Sequence, residues 1–208
     1  VRRRPEPAPG ADDPVWGGVY HGPREYAKTL PDQTAVVLST EDARVTPVLA
    51  FVERFMTLPG GGYAASVRGE VDLPDGRIEE GSSYFLKDDA GRRLSGLPVV
   101  DRRLFAGPNA DMARAILLSR IATGAQKAHA RRTLDFIWTR LVRDGHVLHS
   151  AEGLHDWPGD QWSVIEAELA AGRPERARKV FARQDTPALR ALGPNPYLSA
   201  LRKRLARN

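Results

Sequence analysis

The spacing of apolar positions changes along this chain. Residues 34–39, TAVVLS, are a short β-branched apolar run, which predicts a buried strand. The next segment has helical spacing: Val48, Phe51, Val52 and Phe55 fall on one stripe. Thr40 or Thr46 suits its cap and Pro47 its first turn, and Pro59 with Gly60, Gly61 and Gly62 ends it. Between 62 and 100 the pattern predicts a small antiparallel excursion. GYAASVRGEVDL and RIEEGSSYFLKD flank the turn PDG at 74–76, and DDAGR at 88–92 reads as a second turn.

From Pro108 and Asn109 onward the helical period takes over. Met112, Ile116 and Leu117 mark one helix, closed at Gly124. A second covers 126–143, with Leu134, Ile137, Trp138 and Leu141 on a single face. Arg131, Arg132, Arg140 and Arg143 lie mainly on the other face. Asp144-Gly145 ends this helix, and VLHSAEG is a short extended return. A third helix over 159–171 turns Trp162, Ile165 and Leu169 inward; a fourth opens at Pro174 and carries Ala177, Val180 and Phe181. The tail LGPNPYLSALRKRLARN predicts one or two closing turns. Links at Thr123-Gly124-Ala125 and Ala171-Gly172-Arg173 are so short that consecutive helices must run antiparallel. The fold class is mainly α: stacked αα-hairpins with a small antiparallel β-hairpin region near 62–100.

Composition sharpens this only in places. With 208 residues, 41% of them hydrophobic, the chain can bury the core of one domain over 16–208. Residues 1–15 alternate Pro with charge and read as a flexible linker or trimmed arm. The basic triplet Arg2, Arg3 and Arg4 suits the cytoplasmic flank of a removed anchor or a disordered arm equally. Membrane association is expected only through such an anchor upstream of Val1, because no apolar run reaches about 18 residues. Cytoplasm and periplasm both remain open. With no Cys, disulfides, thiolate metal sites and a cysteine nucleophile are excluded. A net charge of +5 favours acidic partners in general. The basic C-terminus, with Arg202, Lys203, Arg204 and Arg207, has only Tyr197 as an aromatic neighbour. That is a poor stacking platform, so nucleic acid is the weakest partner reading.

Three blocks in order carry a family resemblance. GGGYAASVRGEVDLPDGRIEEGSSYFL is similar to a Gly-rich entry, an acidic turn and a Glu-Gly-x-x-Tyr-aromatic strand. DRRLFAGPNADMARAILLSRIATGAQKAHARRTLDFIWTRLVRDGHVLHSAEG is similar to the helical hairpin that follows, and HDWPGDQWSVIEAELAAGRPERARKVFARQ to the hairpin after that. From Gly61 to Arg183, about 120 of the 208 residues, the chain resembles the toroid half of thioredoxin-domain-containing proteins related to the spermatogenesis-associated protein. Their helical part is similar to that of N-acylglucosamine 2-epimerases. The resemblance implies a partial α/α toroid and a carbohydrate-handling ancestry. It also shows departures: no Cys-bearing domain, only Asn109 kept from the family's aromatic-Asn-Gly start, His155-Asp156 in place of an acidic pair, and room for about three of six hairpins.

The densest polar group is His146, His149, Glu152, His155, Asp156 and Asp160, with Trp157 and Trp162 interleaved. Imidazoles beside carboxylates suit proton transfer near neutral pH, which makes His149, His155 and Asp156 the catalytic candidates. Aromatic rings beside acids suit a sugar, whose apolar face covers a ring while carboxylates take its hydroxyls. Trp157, Trp162, Asn109 and Asp160 are the binding candidates. The bland alternative has His155-Asp156 capping the third helix and both Trp rings filling the core. Glu70, Asp72, Asp75, Glu79 and Glu80 form an acidic cluster without EF-hand spacing, so no metal is expected, and no motif asks for a cofactor. The dipeptide His21-Gly22, after Val19-Tyr20, is too short to specify a nucleotide pocket. Two function classes stand almost level: a non-catalytic or weakly catalytic accessory subunit, meeting a protein partner through exposed helical edges, and a carbohydrate-binding or carbohydrate-processing domain of isomerase or glycosidase type. Arg-driven nucleic-acid binding is third.

Overall fold

The computed structural model describes residues 17–39, 42–152, 157–184 and 196–207. The mainly α class holds, with small antiparallel strand pairs beside the helices. A two-residue strand, β1 (Lys28–Thr29), leads directly into α1 (Leu30–Ser39). The strand expected at 34–39 is therefore a helix. Its buried residues are Leu30, Gln33, Thr34 and Val37, a 3.6-residue stripe in which two of the four members are polar. Thr34 donates its hydroxyl back to the Leu30 carbonyl, and Pro31 sits in the first turn, where a missing N–H costs nothing.

The stripe at 48–55 forms as expected. α2 (Val45–Phe51) continues into a wider turn over Val52–Met56, and the glycines after Pro59 release the chain. β2 (Ser66–Val67) pairs antiparallel with β1 on one side and β5 (Val100–Asp101) on the other. Within the excursion, β3 (Val71–Asp72) and β4 (Ile78–Glu79) close the expected hairpin. The rest differs from expectation: GSSY is a helical turn, α3 (Gly81–Tyr84), and the segment read as a turn at 88–92 opens α4 (Asp89–Ser95). Asp88 caps α4 by accepting from Gly91 N–H, and the Tyr84 hydroxyl donates to the Gly96 carbonyl.

α5 (Ala106–Leu118) and α6 (Gly124–Arg140) make the first long hairpin. Gly124 opens α6 rather than closing α5. The reason is a reciprocal cap: Thr123 Oγ1 accepts from Gln126 N–H while Gln126 Oε1 accepts from Thr123 N–H. β6 (Val142–Arg143) and β7 (His146–Val147) form a tight hairpin, followed by α7 (Pro158–Ala170) and α8 (Pro174–Gln184). The tail makes a full helix, α9 (Pro196–Arg207), longer than expected, which buries Leu198, Leu201 and Leu205.

Three helix pairs result: α1 with α2, α5 with α6, α7 with α8. α5 packs most extensively on α7 and also on α1, so these three form an inner row with α5 at its centre. α5 and α7 run parallel, because Gly107 meets Asp160 and Asp111 meets Ser163. One apolar cluster runs from Val19 through Met112, Leu134 and Ile165 to Leu205; a small satellite gathers Tyr20, Val71, Tyr84 and Phe85 under the excursion. Among the described residues no helix is long and apolar enough to cross a membrane.

Candidate functional site

The first turn of each inner helix carries an amide side chain that grips an extended segment. Gln33 on α1 accepts from Val19 N–H at 2.7 Å and donates to Val19 O at 2.9 Å. Gln161 on α7 does the same to Val147, at 2.9 and 2.7 Å. Asn109 on α5 accepts from Tyr63 N–H at 2.6 Å and donates to Tyr63 O at 3.1 Å. All three amides are fully buried. Each supplies the two hydrogen bonds a neighbouring strand would have made, so backbone buried at a helix start is satisfied.

Two of these grips are copies of one motif. Val19, His21, Asp32 and Gln33 have counterparts 128 positions later in Val147, His149, Asp160 and Gln161. Gly17 and Gly145 correspond as well, with φ of 78° and 82°. A Cβ on Gly17 would lie 2.2 Å from Pro47 O and one on Gly145 2.6 Å from Lys179 O, so both conformation and space demand Gly. In the first copy His21 Nδ1 lies 3.0 Å from Asp32 Oδ2; in the second His149 Nδ1 lies 2.7 Å from Asp160 Oδ2. The pairing with Asp32 raises the pKa of His21.

Surroundings distinguish the second copy. Asp160 Oδ1 also accepts from Gly107 N–H at 3.0 Å, and the His149 carbonyl accepts from Ala106 N–H. The carboxylate thus ties the starts of α5 and α7 together and satisfies donors that a helix N-terminus leaves open. A Cβ at Gly107 would stand 2.2 Å from Asp160 Oδ1, so only Gly admits this approach. The His149 ring stacks on Phe105 at 4.8 Å and on Trp157 at 5.3 Å.

Of the residues singled out from sequence, His149, Asp160 and Trp157 come together. Phe105 completes the group and was not foreseen. Trp162 does not join it; that ring packs near Phe181 and Tyr197. Asn109 is sealed beneath Tyr63 and Phe105. His146 lies in β7 across from Arg143, and Glu152 lines a small cavity with Arg103 and Phe105. His155 and Asp156 lie outside the described residues. Four acids of the excursion's cluster pair with cations: Glu70 and Asp72 with Arg68, Asp75 with Arg77, Glu79 with Lys87. The Lys87 and Ser95 contacts pull the Glu79 carboxyl below its usual range. Among the described residues no cluster of three or more His, Asp or Glu converges on a point that would suit a metal.

Beside Asp160 an open groove of about 530 Å³ runs across the inner row. Pro31 and Thr34 come from α1, Pro108, Asp111 and Arg114 from α5, and Ser163 from α7. Ser163 donates to Asp111 Oδ2 at 3.0 Å. Burial pushes the Asp111 carboxyl above its ordinary range, Ser163 and Arg114 draw it back, and nearby Asp160 adds to the rise. The groove therefore offers a carboxyl, a hydroxyl and a guanidinium over a floor with two proline rings.

No family model matches the chain, and no curated protein matches it.

Proposed function

We propose that this chain is a non-catalytic accessory domain that holds a carbohydrate or similar polyol in the groove at the starts of α1, α5 and α7. The observation that carries the reading is the set Asp111, Ser163 and Arg114, placed together by two parallel inner helices in a groove that Pro31 and Pro108 also line. A sugar ring needs this combination: hydrogen-bonding groups for its hydroxyls and an apolar surface for its C–H face. Trp157 is exposed at the same end of α7, where its ring stacks on His149. The resemblance to epimerase-type toroids, which handle sugars, points the same way.

The non-catalytic part rests on repetition. The His–Asp pair suits proton transfer, but the same pair occurs at His21 and Asp32, where it fastens a loop to a helix start. A device used at both helix starts needs no reaction to explain it.

The test is titration calorimetry of the chain with N-acetylglucosamine, glucose and mannose, together with NMR of each sugar's anomeric proton. Saturable binding, lost in Asp111→Asn while the melting temperature holds, with no turnover, is the expected result. Binding unaffected by Asp111→Asn, or none with any of the sugars, refutes the polyol reading; turnover refutes the non-catalytic one.

A second reading, docking to a protein partner, is favoured by a different observation. Leu86 and Leu94 are 83% and 86% exposed, and Ile78 and Leu97 are exposed in the same 62–100 excursion. They belong to the excursion rather than to helical edges, where the partner surface was expected. Patches of this kind mark interaction sites. Replacing Leu86 and Leu94 with Glu leaves sugar binding intact and abolishes any partner binding through this surface.

A further inference from the structure

The groove across the inner row holds one charge that the fold leaves unanswered. Arg114 lies half-buried on α5, one turn beyond Asp111, and lines the groove with it. Among the described residues its guanidinium makes no hydrogen bond and no ion pair. Asp111 and Tyr197 come within its electrostatic range without bonding to it. A planar group with five N–H donors, partly withdrawn from water, normally meets a carboxylate or carbonyls.

The acids nearby are engaged elsewhere. Glu166 is held by Arg204, whose Nη1 lies 3.0 Å from each of its oxygens, and it also accepts from the Tyr197 hydroxyl at 3.2 Å. Asp160 meets Gly107 N–H through Oδ1 and His149 through Oδ2. Asp111 accepts from Ser163 at 3.0 Å, and burial disfavours its ionised form. Arg114 stays charged at any working pH. It is thus the permanent charge of the groove whose donors remain open.

The space around it suits a single sugar ring. Ala35 and Leu38 join Pro31 and Pro108 as apolar lining, and Leu38 is 45% exposed. The volume of about 530 Å³ falls within the roughly 300–1,000 Å³ usual for small-molecule sites.

We infer that Arg114 makes this groove select acidic sugars of the hexuronate class over neutral ones, which rests on the polyol reading of the same groove. The guanidinium fork matches the two oxygens of the sugar carboxylate. Asp111 and Ser163 supply partners for ring hydroxyls, and the apolar lining takes C–H surface. One carboxylate answers one guanidinium. A phosphate ester, with close to two charges, meets Asp111 and Asp160 as like charges. An amino sugar finds Asp111 but brings its ammonium up to Arg114.

The experiment is calorimetry of the whole chain at neutral pH with glucuronate, glucuronamide and glucosamine, for the parent and for Arg114→Gln. Glucuronate is expected to bind at least tenfold more tightly than glucuronamide, which has the same shape without the charge. Arg114→Gln is expected to erase that preference while the affinity for glucuronamide stays level. Equal affinity for the acid and the amide, a preference that survives Arg114→Gln, or tightest binding of glucosamine overturns the selectivity and leaves the polyol reading standing. Binding of none of the three overturns both. Because Arg114 bonds nothing in the fold, Arg114→Gln is expected to keep the parent's melting temperature. A fall of several degrees means the guanidinium is bonded within the fold and also overturns the proposal.

Discussion

The two copies of the Val-x-His…Asp-Gln motif use the same bonds in unlike settings. His21 and Asp32 have side chains 52% and 18% exposed; His149 and Asp160 have 28% and 7%. The first pair stands at the end of the inner row, where α1 has only α5 as an inner neighbour. The second is covered by Phe105 and Trp157, and its carboxylate also reaches into the start of α5. The comparison separates two tasks. The amide grip and the His–Asp contact fasten a loop to a helix start. The extra Asp160 bond fastens one helix pair to the next.

The largest effects come from the shared part. Gln33→Leu and Gln161→Leu each leave a buried backbone N–H and carbonyl without partners, at about 1–3 kcal/mol per group. Each variant is expected to lose roughly 2–5 kcal/mol in urea unfolding, by similar amounts. A large loss in one copy and none in the other breaks the equivalence.

A pH dependence marks the helix that carries the second copy. Glu168 on α7 is buried, and burial raises its carboxyl from 4.5 to about 7 despite Arg176 and Arg173. A raised carboxyl pKa stabilises the fold fully below 4.5, and that contribution is lost as pH climbs through about 7. At about 1.4 kcal/mol per unit, the loss is on the order of 3 kcal/mol. Glu168→Gln is therefore expected to melt above the parent at pH 8.5 and close to it at pH 5. A gap that widens toward low pH contradicts this. His21 contributes in the same direction: its stabilisation is present below 6.5 and is lost as pH passes its raised pKa.

The smallest contrast is the most specific. Asp160→Ala removes contacts to Gly107 and His149 and is expected to cost roughly 2–3 kcal/mol. Asp32→Ala at the exposed copy is expected to cost about 1 kcal/mol. Equal losses in chemical denaturation show that the tie between helix pairs carries no weight.

How much of this could be read from the residues depends on which signals were apolar. The stripe Leu134, Ile137 and Leu141 is all hydrophobic, and the second long helix lies where it pointed. In α1 the buried stripe includes Gln33 and Thr34, so the adjacent Val36-Val37 pair suggested a strand. The polar cores of the grips were hidden for the same reason: a buried amide looks like a surface residue in a sequence. The repeated motif was visible in principle, since both copies keep the spacing from Gly to Gln, but few residues carry it. His149, Asp160 and Trp157 were legible as a group because they lie close in sequence. Phe105, the Tyr63–Asn109 grip and the Asp111–Ser163 pair were not, because they join segments 44 to 52 residues apart, and only the packing of α5 brings those together.

The most direct test of the central claim is backbone and side-chain NMR of the chain titrated with N-acetylglucosamine. Shifts that saturate and centre on Thr34, Asp111, Arg114 and Ser163 are the predicted result. Shifts confined to Ile78, Leu86 and Leu94, or none at all, contradict the account.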